Sequence, residues 1–213
     1  MRKPLYVIGA GGHGKVVIST LIDMGLTPEG VLDDYPSSFG KDVLGIRVFG
    51  APEHILSPRR PFQAVIAVGD NKARRDIEER LRSQGFSVEW IRAVHPTAYV
   101  HPSVEVGEGT VVFAGAVVQP GSSLGRHCIV NTGAKVDHDC VIGDFAHIAP
   151  GCSLAGGVRI GEGAFVGIGS AVIPCRTIGP WSTVGAGSTV IRDVAEQTVV
   201  AGCPARPIHK AAP

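Results

Sequence analysis

The hydrophobic pattern of the chain changes near residue 93, from irregular apolar segments to a strict period of six. From Val94 to Val190 an aliphatic side chain occupies every sixth position. The residue four places later is small or β-branched in every hexad but one, where Arg176 stands. A fixed repeat of this kind indicates a solenoid. Each hexad predicts a short strand and a corner, and three hexads predict one coil of about 18 residues in a parallel β-helix. We expect Arg176 to distort its corner locally.

The first 92 residues lack this repeat and predict a small α/β domain. Short apolar segments alternate with two helical stretches, which favours a parallel sheet. The strands are expected at 5–8, 30–32, 64–68 and 88–91, and the helices at 15–24 and 72–84. Asn71 can cap the second helix. The predicted domains are therefore 1–92, a Rossmann-like half-domain, and 93–213, the β-helix with a C-terminal tail.

A glycine-rich turn follows the first strand. Gly9, Gly11 and Gly14 satisfy the G-x-G-x-x-G pattern, in which bare backbone lets a phosphate approach a helix start. A nicotinamide enzyme would need two such halves, whereas this domain supplies about one. A nucleotide-sugar suits one half better, and a glycine turn without any ligand is the remaining alternative. The candidate contacts, all at carboxyl ends of strands, are Gly11, Gly12, His13, Asp33, Asp34 and Gly69.

The composition limits the classes of binding partner and the cellular location that we expect. The net charge is +1, which offers no electrostatic footprint for nucleic acid or an anionic membrane. No apolar run is long enough to span a bilayer, and the apolar start resembles a strand more than a signal peptide, so we expect a cytoplasmic protein. The five cysteines are scattered and predict neither disulfides nor structural zinc. Three of them fall on the small inward position and should pack as thiols: Cys128, Cys140 and Cys152.

One acidic segment of the β-helix contains a histidine that can do chemistry. His138 stands between Asp137 and Asp139 and lies off the inward positions, so it should project outward. Neighbouring carboxylates raise a histidine pKa and suit it to act as a base, although many surface histidines are simply solvated. One coil later comes Gly156, whose bare backbone could form an oxyanion hole or merely relieve a tight corner. The spacing of His127, His138 and His147 does not match a zinc site, and no metal is expected.

Several segments together resemble a known family. They are the G-A-G-G-H-G opening, the N-T-G-A-K-V-D-H-D-C block around His138, the hexads, and the A-G-C-P-A-R tail. The chain resembles the bacterial hexapeptide-repeat sugar O-/N-acyltransferases, which include sialic acid O-acetyltransferases and nucleotide 4-amino-sugar N-acetyltransferases. The resemblance covers nearly the whole chain. It implies a left-handed β-helix, a homotrimer with active sites at subunit interfaces, and acetyl-CoA as co-substrate.

The resemblance also implies roles for individual residues. His138 matches the general base, Asp139 the acid that makes it more basic, and Gly156 the oxyanion glycine. His147, Ile168 and Ala186 join Gly156 as acetyl-CoA contacts. The nucleotide-sugar contacts are the six residues of the N-terminal domain named above. The implied reaction is N-acetylation of the 4-amino group of a nucleotide-linked sugar for bacterial glycan synthesis. O-acetylation of sialic acid or another sugar is the alternative, and a non-catalytic nucleotide-sugar-binding module or a nicotinamide enzyme is less favoured.

Overall fold

A computed structural model describes residues 3–58 and 60–210, so the outermost ends of both predicted domains lie outside the described residues. The N-terminal part is a six-stranded sheet with strand order β3-β4-β2-β1-β5-β6, parallel except for the β3–β4 hairpin. Its elements are β1 (Leu5–Ile8), α1 (Gly12–Asp23), β2 (Gly30–Leu32), β3 (Asp42–Val43), β4 (Ile46–Gly50), α2 (Pro52–Ile55), β5 (Phe62–Ile66), α3 (Asn71–Ser83) and β6 (Val88–Trp90).

The alternating strands and helices of this domain were predicted, but their details differ. The β3–β4 hairpin and α2 were not predicted. Helix α1 begins at Gly12, inside the glycine-rich turn, rather than at Lys15. The cap of α3 is Asp70, whose carboxylate accepts a hydrogen bond of 2.8 Å from the Ala73 backbone N–H. The prediction that Asn71 caps this helix is wrong, because Asn71 is its first residue and points its amide at the β-helix.

The rest of the chain is a three-sided prism of two-residue strands. In all three faces, residues 18 positions apart are paired in parallel, as in Val112↔Val130 and Val130↔Ile148, which confirms the predicted coil. The first face contains Ala93–Val94, Val111–Val112, Ile129–Val130, His147–Ile148, Phe165–Val166 and Thr183–Val184. The second contains Tyr99–Val100, Val117–Val118, Lys135–Val136, Ser153–Leu154, Ala171–Val172 and Thr189–Val190. The third contains Glu105–Val106, Ser123–Leu124, Val141–Ile142, Arg159–Ile160 and Thr177–Ile178.

Aliphatic and small side chains fill the prism interior as the hexads predict. Cys128, Cys140 and Cys152 are fully buried free thiols in this core. The expected distortion at Arg176 is wrong. Its coil keeps register through the Arg159↔Thr177 pair, and the guanidinium lies 3.7 Å from the Asp193 carboxylate.

The last coil departs from the repeat. Val200 pairs with Val184, and Val194 with Ile178, so each pair is separated by two residues fewer than elsewhere. Strand Thr198–Gly202 then turns back as an antiparallel hairpin with Ala205–Lys210. This hairpin extends the first face beyond the hexads.

The N-terminal domain covers the lower coils of the first face. Helix α1 and the sheet pack there against a single apolar cluster that includes Val111, Phe113 and Ile129.

The prism edges are named here by the faces they join: the 1–2, 2–3 and 3–1 edges. In a triangular prism the 2–3 edge is opposite the first face, and therefore opposite the N-terminal domain. The left-handed sense of the coil stays a prediction from the resemblance.

Candidate active site

His138 lies on the 2–3 edge and projects outward, as predicted. Its side chain is 62% exposed, and Nδ1 lies 2.8 Å from the Asp139 carboxylate. Because a carboxylate can only accept, Nδ1 carries the hydrogen, which leaves the neutral ring with an unprotonated Nε2. The backbone N–H of His138 donates to the Asp137 side chain at 2.8 Å. These bonds fix the orientation and tautomer of the imidazole.

Gly156 lies one coil above His138, again as predicted. A Cβ at Gly156 would come within 2.5 Å of both Cε1 and Nε2 of the imidazole, so a larger residue there would displace the ring from this position. The next amide along, Gly157 N–H, donates to the His138 carbonyl at 2.9 Å. Within the described residues no acceptor engages the Gly156 N–H itself. A free backbone donor next to an imidazole Nε2 is the arrangement that a developing oxyanion needs.

The electrostatics of this edge favour the protonated imidazole. The hydrogen bond to Asp139 raises the pKa of His138 above its ordinary value, and the negative charge of Asp137 adds to the effect. A base with a raised pKa accepts a proton more readily from a reacting group. The geometry and the charges of His138 and Asp139 together suit proton removal from an attacking nucleophile.

The predicted nucleotide contacts gather at the carboxyl ends of β1, β2 and β5. Gly11 and Gly12 are exposed at the start of α1. The ring of His13 packs 5.3 Å from Phe113 of the prism and 6.3 Å from His147. Burial, reinforced by the charge of Arg74, lowers the pKa of His13 to about 4, so this ring is neutral at pH 7.

The two acidic candidates differ in what they contact. The Asp33 carboxylate is buried and accepts backbone hydrogen bonds from Ala10 at 2.6 Å and Tyr35 at 2.8 Å, so it braces the glycine-rich turn. Asp34 is exposed and pairs with Arg80 at 2.9 Å. Both border a cavity of about 340 Å³ between the strand ends and α3. The structure thus assigns Asp33 a bracing contact, and its direct contact with a ligand stays a prediction.

His147 and Gly69 meet where the two domains touch. His147 projects from the first face but is only 7% exposed, because the N-terminal domain covers it. Its Nδ1 lies 3.3 Å from the Gly69 carbonyl and its Nε2 lies 3.0 Å from the Asn131 amide nitrogen. Burial, with the Arg74 charge second, lowers the pKa of His147 to about 3. Gly69 also borders a cavity of about 730 Å³ that reaches Trp181.

The predicted acetyl-CoA contacts do not come together in one chain. Ile168 and Ala186 are exposed on the 1–2 edge, on the same side of the prism as His147. Gly156 lies with His138 on the 2–3 edge, across the second face. One chain therefore presents the predicted site residues in two separate groups, one around His138 and one beside the N-terminal domain.

Two interface residues were missed by the sequence analysis. Arg74 is 1% exposed and Asn71 is 8% exposed, and both bond to prism carbonyls. A signal was present, since Asn71, Arg74, Glu78 and Leu81 follow one another at helical spacing and form the buried stripe of α3. Polar residues in line with a buried leucine indicate a face that contacts something polar.

Comparisons with known proteins show which family the chain resembles. Residues 4–81 match the PglD N-terminal domain. Perosamine N-acetyltransferase from Caulobacter crescentus, solved with CoA and GDP-perosamine, superimposes with a TM-score of 0.88 at 39% identity, covering 99% of each chain. The chain belongs to the nucleotide amino-sugar acyltransferase family. The resemblance identified from the sequence is thereby confirmed.

Two further relatives of this family are informative. The acetyltransferase domain of PglB from Neisseria gonorrhoeae, solved with acetyl coenzyme A, gives a TM-score of 0.87 at 42% identity over 98% of this chain and 100% of that one. UDP-N-acetylbacillosamine N-acetyltransferase from Bacillus subtilis is 43% identical over 121 residues, 53% of this chain and 52% of the relative. The chain thus matches about half the length of that relative, and a mimivirus protein, L142, is matched over 21% of its length.

Two kinds of feature are absent from the described residues. No helix among them is long and apolar enough to cross a membrane. Nor do these residues bring three histidine, cysteine or acidic side chains together as a metal site.

Proposed function

We propose that the protein is an acetyl-CoA-dependent N-acetyltransferase acting on the 4-amino group of a UDP-, GDP- or dTDP-linked sugar in the cytoplasm, for bacterial glycan synthesis. The observation that carries the proposal is the outward His138, bonded to Asp139 and lying beneath the free N–H of Gly156. The relatives solved with GDP-perosamine and with acetyl coenzyme A support the donor and the substrate class.

The residues suit direct transfer of the acetyl group. The sugar amine attacks the thioester carbonyl carbon while His138 Nε2 takes a proton from the nitrogen. The new C–N bond leaves a tetrahedral oxyanion, which the Gly156 N–H stabilises; one such donor contributes about 3 kcal/mol in acyl-transfer enzymes. Collapse breaks the C–S bond, and the imidazolium returns its proton to the departing thiolate. Asp139 stabilises the imidazolium throughout.

We further propose that the complete site forms between copies of the chain in a homotrimer. The base lies on the 2–3 edge, whereas Ile168, Ala186 and the N-terminal domain lie beside the 1–2 edge. The prism core separates the two within one chain. Apposition of the 2–3 edge of one copy with the 1–2 edge of the next would join the base to the nucleotide and coenzyme contacts.

An acceptor panel with a matched variant tests the function. Purified protein is assayed for acetyl transfer from acetyl-CoA to UDP-, GDP- and dTDP-linked 4-amino sugars and to free sialic acid. We expect an amine to be acetylated, and His138→Ala to lower turnover about 100-fold or more without weakening acetyl-CoA binding. Acetylation of sialic acid alone would favour an O-acetyltransferase. Nucleotide-sugar binding without transfer would favour a non-catalytic module, and near-wild-type turnover by His138→Ala would remove it from the mechanism.

A further inference from the structure

Arg74 of α3 is a buried charge whose hydrogen bonds all end on neutral oxygens. The side chain is 1% exposed, and burial lowers its pKa to about 10, so it remains charged at pH 7. Nε donates to the His127 carbonyl at 2.8 Å, and Nη2 donates to the Phe145 carbonyl at 2.6 Å. Burying a guanidinium is costly unless its donors are satisfied. The guanidinium of Arg74 can therefore stay buried only while these carbonyls keep their positions.

The partners of Arg74 form a regular row along the 3–1 edge. His127 and Phe145 occupy the same corner position in successive coils, and Gly163 occupies it in the next. All three have left-handed backbone, with φ of 53°, 58° and 62°. Asn71 extends the contact to the third coil, since its Nδ2 donates to the Gly163 carbonyl at 3.0 Å while its Oδ1 accepts from Arg74 at 2.9 Å.

The other side of the guanidinium faces the loop that follows β5. Nη1 of Arg74 donates to the Val68 carbonyl at 2.9 Å and, at 3.4 Å, to the carbonyls of Gly69 and Asp70. The Gly69 carbonyl also lies 3.3 Å from His147 on the first face. One side chain therefore bonds both the 68–70 loop and the prism, and His147 adds a direct contact between the two.

We propose that Arg74, assisted by Asn71, is a positioning residue that holds the 68–70 loop against the prism and so sets where the nucleotide sugar is bound. The inference rests on the proposed function, in which Gly69 contacts the nucleotide sugar. The row of corner carbonyls gives α3 a fixed height and rotation, because the coil spacing defines where the three acceptors lie. Because Arg74 also bonds the Val68 and Gly69 carbonyls, the position of α3 sets the position of the 68–70 loop.

Arg74→Lys tests this role, because lysine keeps the charge but lacks the planar five-donor fork. The single ammonium cannot bond the loop and both coils in the same geometry. We expect the KM for the nucleotide sugar to rise about tenfold, equivalent to about 1.4 kcal/mol, while the KM for acetyl-CoA stays within about twofold. A merely structural role would reduce the active fraction and hence the apparent kcat, leaving both KM values unchanged. Arg82→Lys, on the exposed last turn of α3, is the matched control.

A second measurement does not depend on the substrate. Hydrogen exchange of segment 67–74, followed by mass spectrometry without ligand, should accelerate in Arg74→Lys and stay unchanged in Arg82→Lys. In the wild type the same segment should exchange as slowly as β5. If segment 67–74 of the wild type exchanged as fast as the exposed loop 34–41, that measurement alone would overturn the proposal. If no nucleotide amino sugar is acetylated, the proposed function fails, and the exchange data still decide whether the clamp exists.

The remaining outcomes are also decisive. If Arg74→Lys does not fold, Asn71→Ala keeps the bonds of Arg74 to the loop and to the first two coils, and removes the third-coil contact together with one acceptor of Arg74. It should raise the nucleotide-sugar KM about threefold, or about 0.7 kcal/mol. A folded Arg74→Lys with an unchanged nucleotide-sugar KM and unchanged exchange would show that Arg74 positions nothing. Equal rises in the KM of both substrates would also contradict the proposal.

Discussion

The two carboxylates beside His138 act on different atoms. Asp139 receives the Nδ1 hydrogen, whereas Asp137 accepts the backbone N–H of His138 and acts on the ring only through its charge. Asp139 reaches this position from a left-handed backbone, φ 58°, which aspartate tolerates better than most residues. Asp139 therefore makes the larger contribution to the raised pKa of His138 and is the carboxylate that bonds its ring.

Asp139→Asn should move the acidic limb of the rate profile to lower pH. The carboxylate raises the pKa of His138, so its loss lowers that pKa, and the imidazole then remains an unprotonated base at more acidic pH. Turnover should fall at the same time, because asparagine stabilises the imidazolium less. The profile of kcat/KM against pH measures both effects. Asp137→Asn removes a charge but leaves the Nδ1 contact intact, so it should move the limb in the same direction by a smaller amount. A limb that does not move would show that Asp139 does not tune the base.

At the scale of elements, the contact between α3 and the 3–1 edge buries neutral histidine. His127 is fully buried and stacks 5.2 Å from Phe145, with Trp90 packed edge-on at 4.8 Å. Burial, and then the charges of Arg126 and Arg74, lower its pKa to about 3. Between about pH 3 and its ordinary pKa near 6.5, the unfolded state binds a proton that the folded state does not. Acidification through this range therefore destabilises the packed edge.

His127→Phe should reduce the loss of stability on acidification. Phe145 occupies the equivalent left-handed corner one coil above, so phenylalanine fits this backbone. From pH 7 to pH 5 the wild type should lose about 1–2 kcal/mol more unfolding free energy than the variant. Urea unfolding at both pH values and one protein concentration measures the difference. Parallel pH dependences would show that His127 already accepts a proton in the folded state.

At the scale of the whole molecule, the prism keeps the two groups of predicted site residues apart. The first face is occupied by the N-terminal domain, which leaves the second face and its two edges open to another copy. Val117 of the second face is half-buried and Val141 of the third is 38% exposed, whereas Val111 of the first face is covered. All three valines occupy the same place in their hexads, so the repeat pattern does not distinguish their exposure.

Mixed assemblies test whether two copies share one site. His138→Ala alters the 2–3 edge and Ile168→Asp the 1–2 edge, and each variant alone should be inactive. Co-expressed in equal amounts, they should recover about one quarter of wild-type activity, since each site needs an intact edge from two neighbours and half the chains supply each. Pairing His138→Ala with Gly156→Val, both on the 2–3 edge, is the control and should recover none. Equal failure of both mixtures would place the complete site within one chain.

The sequence by itself determined the coil, its corners and the edge on which His138 lies. A strict period makes register a matter of counting, so Gly156 above His138 followed from a spacing of 18 residues, as the Lys135↔Ser153 pair beside them confirms. The alternating pattern of the first 92 residues likewise determined the α/β class. The β3–β4 hairpin was not predicted because β3 has only two residues. Its turn, Leu44–Gly45, does not lie within a longer apolar segment that would have indicated two strands.

Only the tertiary structure decided which face the N-terminal domain covers. The hexads describe all three faces in the same terms, so nothing local distinguishes His147, which becomes buried, from residues that stay exposed. Arg74 looked like one charge among many in α3 until docking placed His127 and Phe145 beside it. The separation of Gly156 from Ile168 likewise depends on the edge each occupies. These outcomes come from contacts between residues distant in sequence, whose free energy a periodic pattern does not encode.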